Sequence, residues 1–352
     1  MVSKEEPLGF LPKEKLKEFV QELLGLGVVL APKKEGDITI MQEIRTAGEL
    51  AEDFEQTRNN LRTIVEPQNE ILLTYQPSAE LFCEENLPEE KQKIVFWCRP
   101  CDARAISYLD DNFKDETFPD PYYIRRRDRV LLIGLGCDSP FPYCFCSSIG
   151  GSPFGKDNLD IVMTRVDRGY ILEYITENGQ EIGRKMSDII QRLTDDDMTE
   201  MRKVQENADK MIRRKAPDPS DISRKLSSMF ESPIWKKWGD KCIGCGICTY
   251  LCPTCWCFDI NDVESRGKGY RIRTWDSCQF PLFTLHTSSH NPRPDKGSRV
   301  RQRVMHKYNY HPINYGGRIA CVGCGRCSEL CPMDIDLISI LEDISKAGEK
   351  DA

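Results

Sequence analysis

The sequence lacks any apolar run long enough to cross a membrane. Residues 130–133 are typical of its longest apolar runs, whereas a membrane-spanning helix needs about 20 such residues. Residues 1–6 also lack the basic and then apolar pattern of a secretory signal. We therefore expect a cytoplasmic protein, in which any association with a membrane depends on a partner.

The chain also has no excess of positive charge. The chain has 49 Lys and Arg against 56 Asp and Glu, a formal net charge of -7, which argues against a nucleic-acid-binding protein. No Walker-type phosphate loop occurs, and Gly134-Leu-Gly136 lacks the third glycine of a dinucleotide loop. We therefore expect neither a nucleic-acid-binding domain nor a nucleotide-binding domain.

Cysteine, in contrast, is abundant. The 352 residues include 17 cysteines, which in a secreted chain would indicate disulfides. Here the Cys-x2-Cys spacings and the missing signal favour a reducing cytosol and metal ligation. The thiolates are therefore the candidate functional groups.

Two cysteine runs near the C-terminus have the same Cys-x2-Cys-x2-Cys-x3-Cys-Pro spacing. The first run holds Cys242, Cys245, Cys248 and Cys252, and the second holds Cys321, Cys324, Cys327 and Cys331. In bacterial two-cluster ferredoxins, the fourth cysteine of such a run binds the cluster of the other run. We therefore predict one [4Fe-4S] cluster on Cys242, Cys245, Cys248 and Cys331, and a second on Cys321, Cys324, Cys327 and Cys252. Because such clusters are often oxygen-labile, we expect an anaerobic setting.

The residues before these runs have the periodicity of mixed secondary structure. Helices are predicted over 12–25 and 103–113, and strands over 28–31, 38–44, 70–75, 93–97, 129–135, 160–165 and 170–175. Thr194 and Asp197 then form a capping-box pattern that opens a helical region. The sequence therefore predicts an α+β protein with a mixed α/β domain over 1–185, a helical connector over 186–240 and a two-cluster ferredoxin-like domain over 241–345.

Four further cysteines follow predicted strands of the first domain. Cys101 follows the strand over 93–97, and Cys137, Cys144 and Cys146 follow the strand over 129–135. Loops at strand ends can bring side chains together, and four thiolates meet the ligand demand of a cubane cluster. A third metal site is therefore predicted, with structural zinc and inert buried thiols as alternatives.

The cysteine runs and their surroundings resemble a known family. The segments that carry the resemblance are 241–249, 252–257, 275–278, 299–307 and 321–327, with 101–105 and 136–146 upstream. They are similar to the ferredoxin-type subunit of anaerobic sulfite reductase and to the beta subunit of sulfhydrogenases, the cytosolic nickel–iron hydrogenases. The resemblance covers about residues 94–338, whereas the first 90 residues carry little of it.

Members of this family are electron-transfer subunits, which implies a partner on each side of this chain. One partner would be a flavoprotein that binds a pyridine nucleotide, and the other a catalytic subunit of the hydrogenase, sulfite reductase or heterodisulfide-reductase type. The resemblance also implies that Cys101, Cys137, Cys144 and Cys146 bind a third [4Fe-4S] cluster, with Cys98 outside the shared pattern. It leaves open the terminal acceptor and the direction of electron flow.

Three cysteines between the two runs have no place in the crossed ligand pattern. Cys255, Cys257 and Cys278 lie in a linker much longer than that of simple two-cluster ferredoxins. They could replace a predicted ligand, bind another metal or pack beside a cluster, and we expect the last.

The same linker carries a strongly basic segment, 296–307. One interpretation is a solvated face. The other is functional, because cations near a cluster raise its potential and basic surface steers an acidic partner. In the functional case, Glu in place of Arg299 and Arg301 should slow electron exchange with a partner at low salt.

The favoured interpretation is an iron–sulfur subunit that relays single electrons within a soluble oxidoreductase complex and is not catalytic alone. One alternative is a catalytic subunit that reduces a small substrate at an open-site cluster, for which Cys255, Cys257 and Cys278 are the motive. A zinc-stabilised interaction module is a third possibility. Iron and sulfide analysis separates the relay from the zinc module.

Overall fold

A computed structural model describes residues 8–76, 83–88 and 91–347. Within these ranges the strands are β1 (Leu8–Pro12), β2 (Val28–Glu35), β3 (Ile38–Glu43), β4 (Asn69–Tyr75), β5 (Cys83–Glu85), β6 (Lys93–Cys98), β7 (Val130–Leu135), β8 (Ile161–Val166), β9 (Gly169–Tyr174), β10 (Phe258–Ser265) and β11 (Lys268–Trp275). No helix of this part of the chain is long and apolar enough to span a bilayer.

The α-helices of the same ranges are α1 (Leu16–Leu26), α2 (Arg62–Val65), α3 (Pro100–Phe113), α4 (Pro121–Arg127), α5 (Glu177–Lys185), α6 (Asp195–Met211), α7 (Pro219–Leu226), α8 (Ile234–Lys241), α9 (Ile247–Tyr250), α10 (Lys296–Met305), α11 (His311–Asn314), α12 (Arg326–Glu329) and α13 (Leu337–Lys346). Short 3-10 turns lie at Lys13–Lys15, Ala47–Glu49 and Cys146–Ile149. A π-helical turn, His306–Tyr310, joins α10 to α11.

The larger sheet has seven strands in the order β1-β9-β8-β7-β6-β2-β3. Its central strands β2, β6, β7 and β8 are parallel, while β1, β9 and β3 pair antiparallel with their neighbours. Strand β6 is buried along almost its whole length, as expected for a parallel strand that is covered on both faces. Because β6 and β7 are parallel neighbours, the loops that follow them meet at one edge of the sheet.

Helices cover both faces of this sheet. On one face, Phe19 and Leu23 of α1 pack with Phe96 of β6 in a core that also includes α5. On the other face, Ile106 of α3 packs with Val95 of β6. Alternating side chains of β6 therefore point into the two cores, because successive side chains of a strand lie on opposite faces of the sheet.

The smaller sheet joins distant parts of the chain in the order β10-β11-β4-β5. Arg273 of β11 lies opposite Glu70 of β4, and its Nη2 donates to Glu70 Oε2 at 2.6 Å with both side chains buried. The linker between the cysteine runs is therefore tied to the first 90 residues of the chain. The domain boundaries predicted at residues 185 and 240 do not coincide with a break in the contacts between elements. These boundaries remain a prediction.

The region after the large sheet is helical up to Lys241. Helix α6 begins with the predicted capping box of Thr194 and Asp197, which is confirmed. Ile222 of α7 and Trp235 of α8 then pack with Val304 of α10 and Leu341 of α13. These helices thus form a core directly under the two cysteine runs.

The predicted α+β class is confirmed, and most of the predicted strands are present within a few residues of their expected bounds. The helix predicted over 12–25 begins at Leu16, after a 3-10 turn that follows Pro12. The helix predicted over 103–113 begins earlier, at Pro100, because proline suits the first turn of a helix. This shift places Cys101 inside the first turn of α3.

Candidate metal centres

The first cysteine group consists of Cys242, Cys245, Cys248 and Cys331. These four side chains line one cavity, together with Arg303 and Cys327. Cys331 belongs to the second run, so the chain brings the end of one run to the cavity of the other. The arrangement agrees with the crossed ligand pattern that the sequence predicts.

Glycines shape the loop of each cysteine run. Gly244 and Gly246 have φ of 72° and 77°, and their counterparts Gly323 and Gly325 have φ of 64° and 77°. This left-handed conformation is costly for residues with a Cβ atom. It turns the backbone inward, and the N–H of Gly244 donates to Cys242 Sγ at 3.3 Å. Each run therefore wraps its first three thiols around one side of a site.

The second cysteine group consists of Cys252, Cys321, Cys324 and Cys327. Burial raises the pKa of Cys324 to about 12, and the adjacent Cys252 and Cys327 contribute to the rise. Cys321 interacts electrostatically with the same two cysteines. The four cysteines are therefore neighbours, and their joint ligation of one cluster stays a prediction.

Lys307 is the cation of the second group. Its side chain is buried, and its Nζ donates to Cys252 Sγ at 3.2 Å, to Thr254 Oγ1 at 2.9 Å and to the Ala320 carbonyl at 3.0 Å. Lys307 lies in the π-helical turn, a feature that is frequent at functional sites. A buried ammonium needs an anionic partner, and the Cys252 thiolate occupies that place.

The third cysteine group consists of Cys101, Cys137, Cys144 and Cys146. Cys101 and Cys146 line one cavity, while Cys137 interacts electrostatically with Cys101 and with both other cysteines. The edge where β6 and β7 end thus brings together the cysteines that follow them.

An irregularity in β6 separates Cys98 from this group. Trp97 has φ of 62°, and the pairing with β7 shifts register between Phe96 and Cys98. Bulges of this kind redirect the chain beside functional sites. Cys98 itself points into the sheet, with its Sγ 3.7 Å from the Ile133 carbonyl, which agrees with its place outside the family pattern.

The third group lies directly against the second. The N–H of Phe145 donates to the Gly323 carbonyl at 2.9 Å, and Cys144 Sγ lies 3.9 Å from the Cys324 carbonyl. A Cβ atom on Gly323 would lie 2.6 Å from the nitrogen of Cys146. The backbones of the two groups are therefore packed as closely as glycine allows.

Unpaired buried donors test whether [4Fe-4S] clusters fit these groups. Within the described part of the chain, no hydrogen-bond partner is present for five buried donors: Arg303 Nε and Nη2 beside the first group, and Arg104 Nη1 and the hydroxyls of Ser147 and Ser148 beside the third. Cluster sulfurs accept hydrogen bonds, so the donors present suit a cluster. Among the described residues, no three Cys, His, Asp or Glu side chains are arranged to hold a single metal ion.

Burial keeps most of these thiols protonated until a metal binds. It raises the pKa of Cys248 to about 11 and that of Cys146 to about 12. Cys252 differs, because a hydrogen bond from Cys255 and the charge of Lys307 hold its pKa well below the ordinary value despite burial. Metal ligands must be deprotonated, so metal binding at the buried thiols would displace protons.

Cys255, Cys257 and Cys278, the three that the crossed ligand pattern leaves unassigned in the linker, lie between the first and second groups. Cys255 donates its hydrogen bond to Cys252, and Cys278 donates one to Cys257, which lowers the pKa of Cys257 to about 7. Cys278 also interacts electrostatically with Cys248 of the first group. Their position beside the predicted ligands matches the expected packing role, which stays a prediction.

The solvated-face interpretation of the basic segment is wrong for three of its residues. Arg299, Arg303 and Lys307 are 7%, 6% and 3% exposed, because α10 and the π-helical turn point them into the protein. Arg299 donates to the carbonyls of Arg293 and Pro294. Replacing Arg299 by Glu would therefore disturb a loop and would not report steering of a partner.

Sequence reasoning missed one ion pair at the centres. Arg326 donates through Nη1 and Nη2 to the two carboxylate oxygens of Asp102, at 2.7 Å each, with both side chains buried. Asp102 follows Cys101, and Arg326 precedes Cys327. The sequence feature that could have indicated this pair is the position of two opposite charges, each next to a predicted ligand cysteine of a different group.

Comparisons with known proteins support [4Fe-4S] clusters in the region of the two cysteine runs. A family model described as a 4Fe-4S dicluster domain matches residues 241–335. "Sulfhydrogenase 2 subunit beta" of Pyrococcus furiosus is 31% identical over 95% of this chain and 97% of its own length. "F420-dependent formate dehydrogenase subunit beta" of Methanocaldococcus jannaschii is 23% identical over 71% of this chain and 69% of its own.

No solved structure matches the chain. The identity and coverage of the Pyrococcus relative, together with the matched dicluster domain, are sufficient to assign the family. The chain belongs to the sulfhydrogenase beta subunit family and is an iron–sulfur subunit of an oxidoreductase.

Proposed function

We propose that this chain relays single electrons between two partner subunits of an oxidoreductase complex. The observation that carries the proposal is the adjacency of the three cysteine groups. Cys324 of the second group neighbours Cys101 and Cys144 of the third, and Cys327 of the second neighbours Cys248 of the first. [4Fe-4S] clusters on these groups would supply one-electron redox chemistry.

The proposed ligands follow the three cysteine groups. One cluster is held by Cys242, Cys245, Cys248 and Cys331, a second by Cys252, Cys321, Cys324 and Cys327, and a third by Cys101, Cys137, Cys144 and Cys146. The protein contributes the thiolates, the buried cations and the unpaired donors. It also buries three of the four cysteines of the second group and two of the third.

The first group is the proposed contact with one partner. Cys245 is exposed, and its cavity is bordered by Ile243 and Met333, which are 57% and 43% exposed. Apolar residues around a redox centre suit a partner that must come close to it.

The proposed partners are a flavoprotein that binds a pyridine nucleotide and a catalytic subunit of the hydrogenase, sulfite reductase or heterodisulfide-reductase type. Both relatives are named as beta subunits, one of a sulfhydrogenase and one of a formate dehydrogenase, which supports a place in a larger enzyme. The cytoplasmic location expected from the sequence stays a prediction.

Anaerobic purification followed by iron, sulfide and EPR analysis tests the relay. Three clusters would give about 12 iron atoms per chain. Cys331→Ser should damage the cluster of the first run, whereas Cys83→Ser, in β5 and exposed, should leave all signals unchanged. Selective loss at the second-run cluster in Cys331→Ser would contradict the crossed assignment.

The same preparation separates the relay from the alternatives. A colourless, zinc-loaded protein would exclude the relay. Reduction of a small substrate by the isolated chain with an artificial donor would favour a catalytic subunit. The proteins that copurify under anaerobic conditions would identify the two partners.

A further inference from the structure

Arg303 lies between the first and second cysteine groups. Its side chain lines the cavity of the first group, which Cys327 of the second group also lines. The cysteines that interact most strongly with its charge are Cys248 and Cys327, followed by Cys252. The residue is 6% exposed, and its Nε and Nη2 have no hydrogen-bond partner among the described residues. A buried guanidinium with unpaired donors is costly unless an acceptor occupies the space in front of it.

We propose that the Arg303 guanidinium is the shared counter-charge of the two C-terminal clusters. The inference rests on the proposed function, because it requires a cluster on each of the two cysteine groups. Sulfur is the acceptor on both sides, since the cavity that Arg303 lines holds cysteines of both groups and no carboxylate. Arg303 therefore acts as a positioning residue that sets the potentials of both clusters.

The geometry of arginine suits this role. A guanidinium is a rigid plane with donors pointing in several directions, so one side chain can donate to two centres at once. Helix α10 fixes the direction of the side chain, because the carboxylate of Asp295 caps it by accepting from the N–H of Ser298. Val300 and Val304 of the same helix are packed in the core, which holds this face of α10 inward.

A shared cation has a distinct electrostatic consequence. Each added electron makes a cluster more negative, and two neighbouring reduced clusters repel each other. A positive charge between them favours the reduced form of both. Loss of the charge should therefore lower both C-terminal potentials together, while the third cluster, which has Arg104 beside it, should keep its potential.

The test is an EPR-monitored redox titration of the anaerobically purified full chain. In Arg303→Met, we expect the ratio of reduced to oxidised cluster at a fixed potential to fall at least tenfold for both C-terminal clusters, which corresponds to about 59 mV for a one-electron couple. Arg303→Lys keeps the charge without the fork and should recover part of both shifts.

Arg301→Met is the matched control. Arg301 lies on the same helix, but its guanidinium stacks on Phe230 at 3.6 Å, so its loss should leave all three potentials unchanged. Unchanged potentials in Arg303→Met, a shift of one cluster alone, or equal shifts in Arg301→Met would overturn the inference.

Iron content distinguishes failure of the proposed function from failure of the role proposed for Arg303. Wild-type protein without iron would refute the proposed function itself. Wild-type protein with clusters, combined with an Arg303→Met variant of normal potentials, would refute only the role of Arg303. If Arg303→Met does not assemble its clusters, the titration of Arg303→Lys tests the inference instead. Loss of the guanidinium fork alone should still shift both C-terminal potentials in the same direction. Unshifted potentials in Arg303→Lys would overturn the inference.

Discussion

Removal of the Lys307 charge should lower the potential of the cluster that Cys252 helps to hold. Lys307→Met is the suitable change, because it keeps the length of the side chain and loses the ammonium. The Ala320 carbonyl would still accept a hydrogen bond from Thr254 Oγ1 at 2.7 Å. The fold should therefore tolerate the substitution.

The size of the effect follows from one distance. Lys307 Nζ lies 3.2 Å from Cys252 Sγ. At that separation, Coulomb's law with an effective dielectric constant of about 20 gives about 5 kcal/mol between unit charges. An added electron spreads beyond this sulfur, so we expect about half of that energy, or roughly 100 mV for a one-electron couple.

The assay is a spectroscopic redox titration of the loaded protein, with Lys307→Arg as a variant that keeps the charge. We expect a fall on the order of 100 mV in Lys307→Met and a much smaller change in Lys307→Arg. Iron and sulfide content must match the wild type in both variants. A potential that moves equally in both variants would show that packing, and not charge, is responsible, and an unchanged potential would refute the reasoning.

Three further predictions concern assembly and reactivity. Asp102→Asn breaks the buried pair with Arg326 and should lower the free energy of unfolding by about 3–5 kcal/mol, measured by anaerobic denaturant titration; a loss below about 1 kcal/mol would contradict the buried geometry. Gly323→Ala forces a side chain into a left-handed position against Cys146, which costs about 1–2 kcal/mol for the backbone alone. It should lower iron at the second group, whose loop Gly323 shapes, and at the third group, which it contacts, and full iron content would contradict this. Cys257 has a pKa lowered to about 7, so its alkylation rate should rise with pH below that value, as thiolate forms, and level off above it; a rate that still rises steeply near pH 9 would contradict the lowered pKa.

The cysteine groups could be predicted because they follow either from local spacing in the sequence or from the direction of neighbouring strands. Cys242 and Cys321 each open a run whose spacing specifies its ligands. Cys101 and Cys137 follow neighbouring parallel strands, β6 and β7, and the ends of such strands meet at one edge. Neither inference needs knowledge of distant contacts.

The pairing of the smaller sheet could not be predicted, because it is remote in sequence. Strand β4 corresponds to the strand predicted over 70–75, whereas strand β10, which is exposed along almost its whole length, was not predicted. Its partner β11 pairs with β4, about 200 residues earlier. The location of Lys307 was equally hidden, since the π-helical turn changes the face on which α10 continues.

The buried charges of this chain fall into two kinds with different dependence on metal. Arg326 with Asp102, and Arg273 with Glu70, are paired within the protein and hold the first part of the chain to the cysteine runs with or without clusters. Arg303, in contrast, has donors without an acceptor in the part of the chain that the structure describes, beside thiols such as Cys248 that burial keeps neutral. Its charge is compensated only when iron replaces the thiol protons, so cluster binding contributes directly to the stability of the dicluster region. The scaffold can therefore form first, with the centres remaining weakly stable until they are loaded.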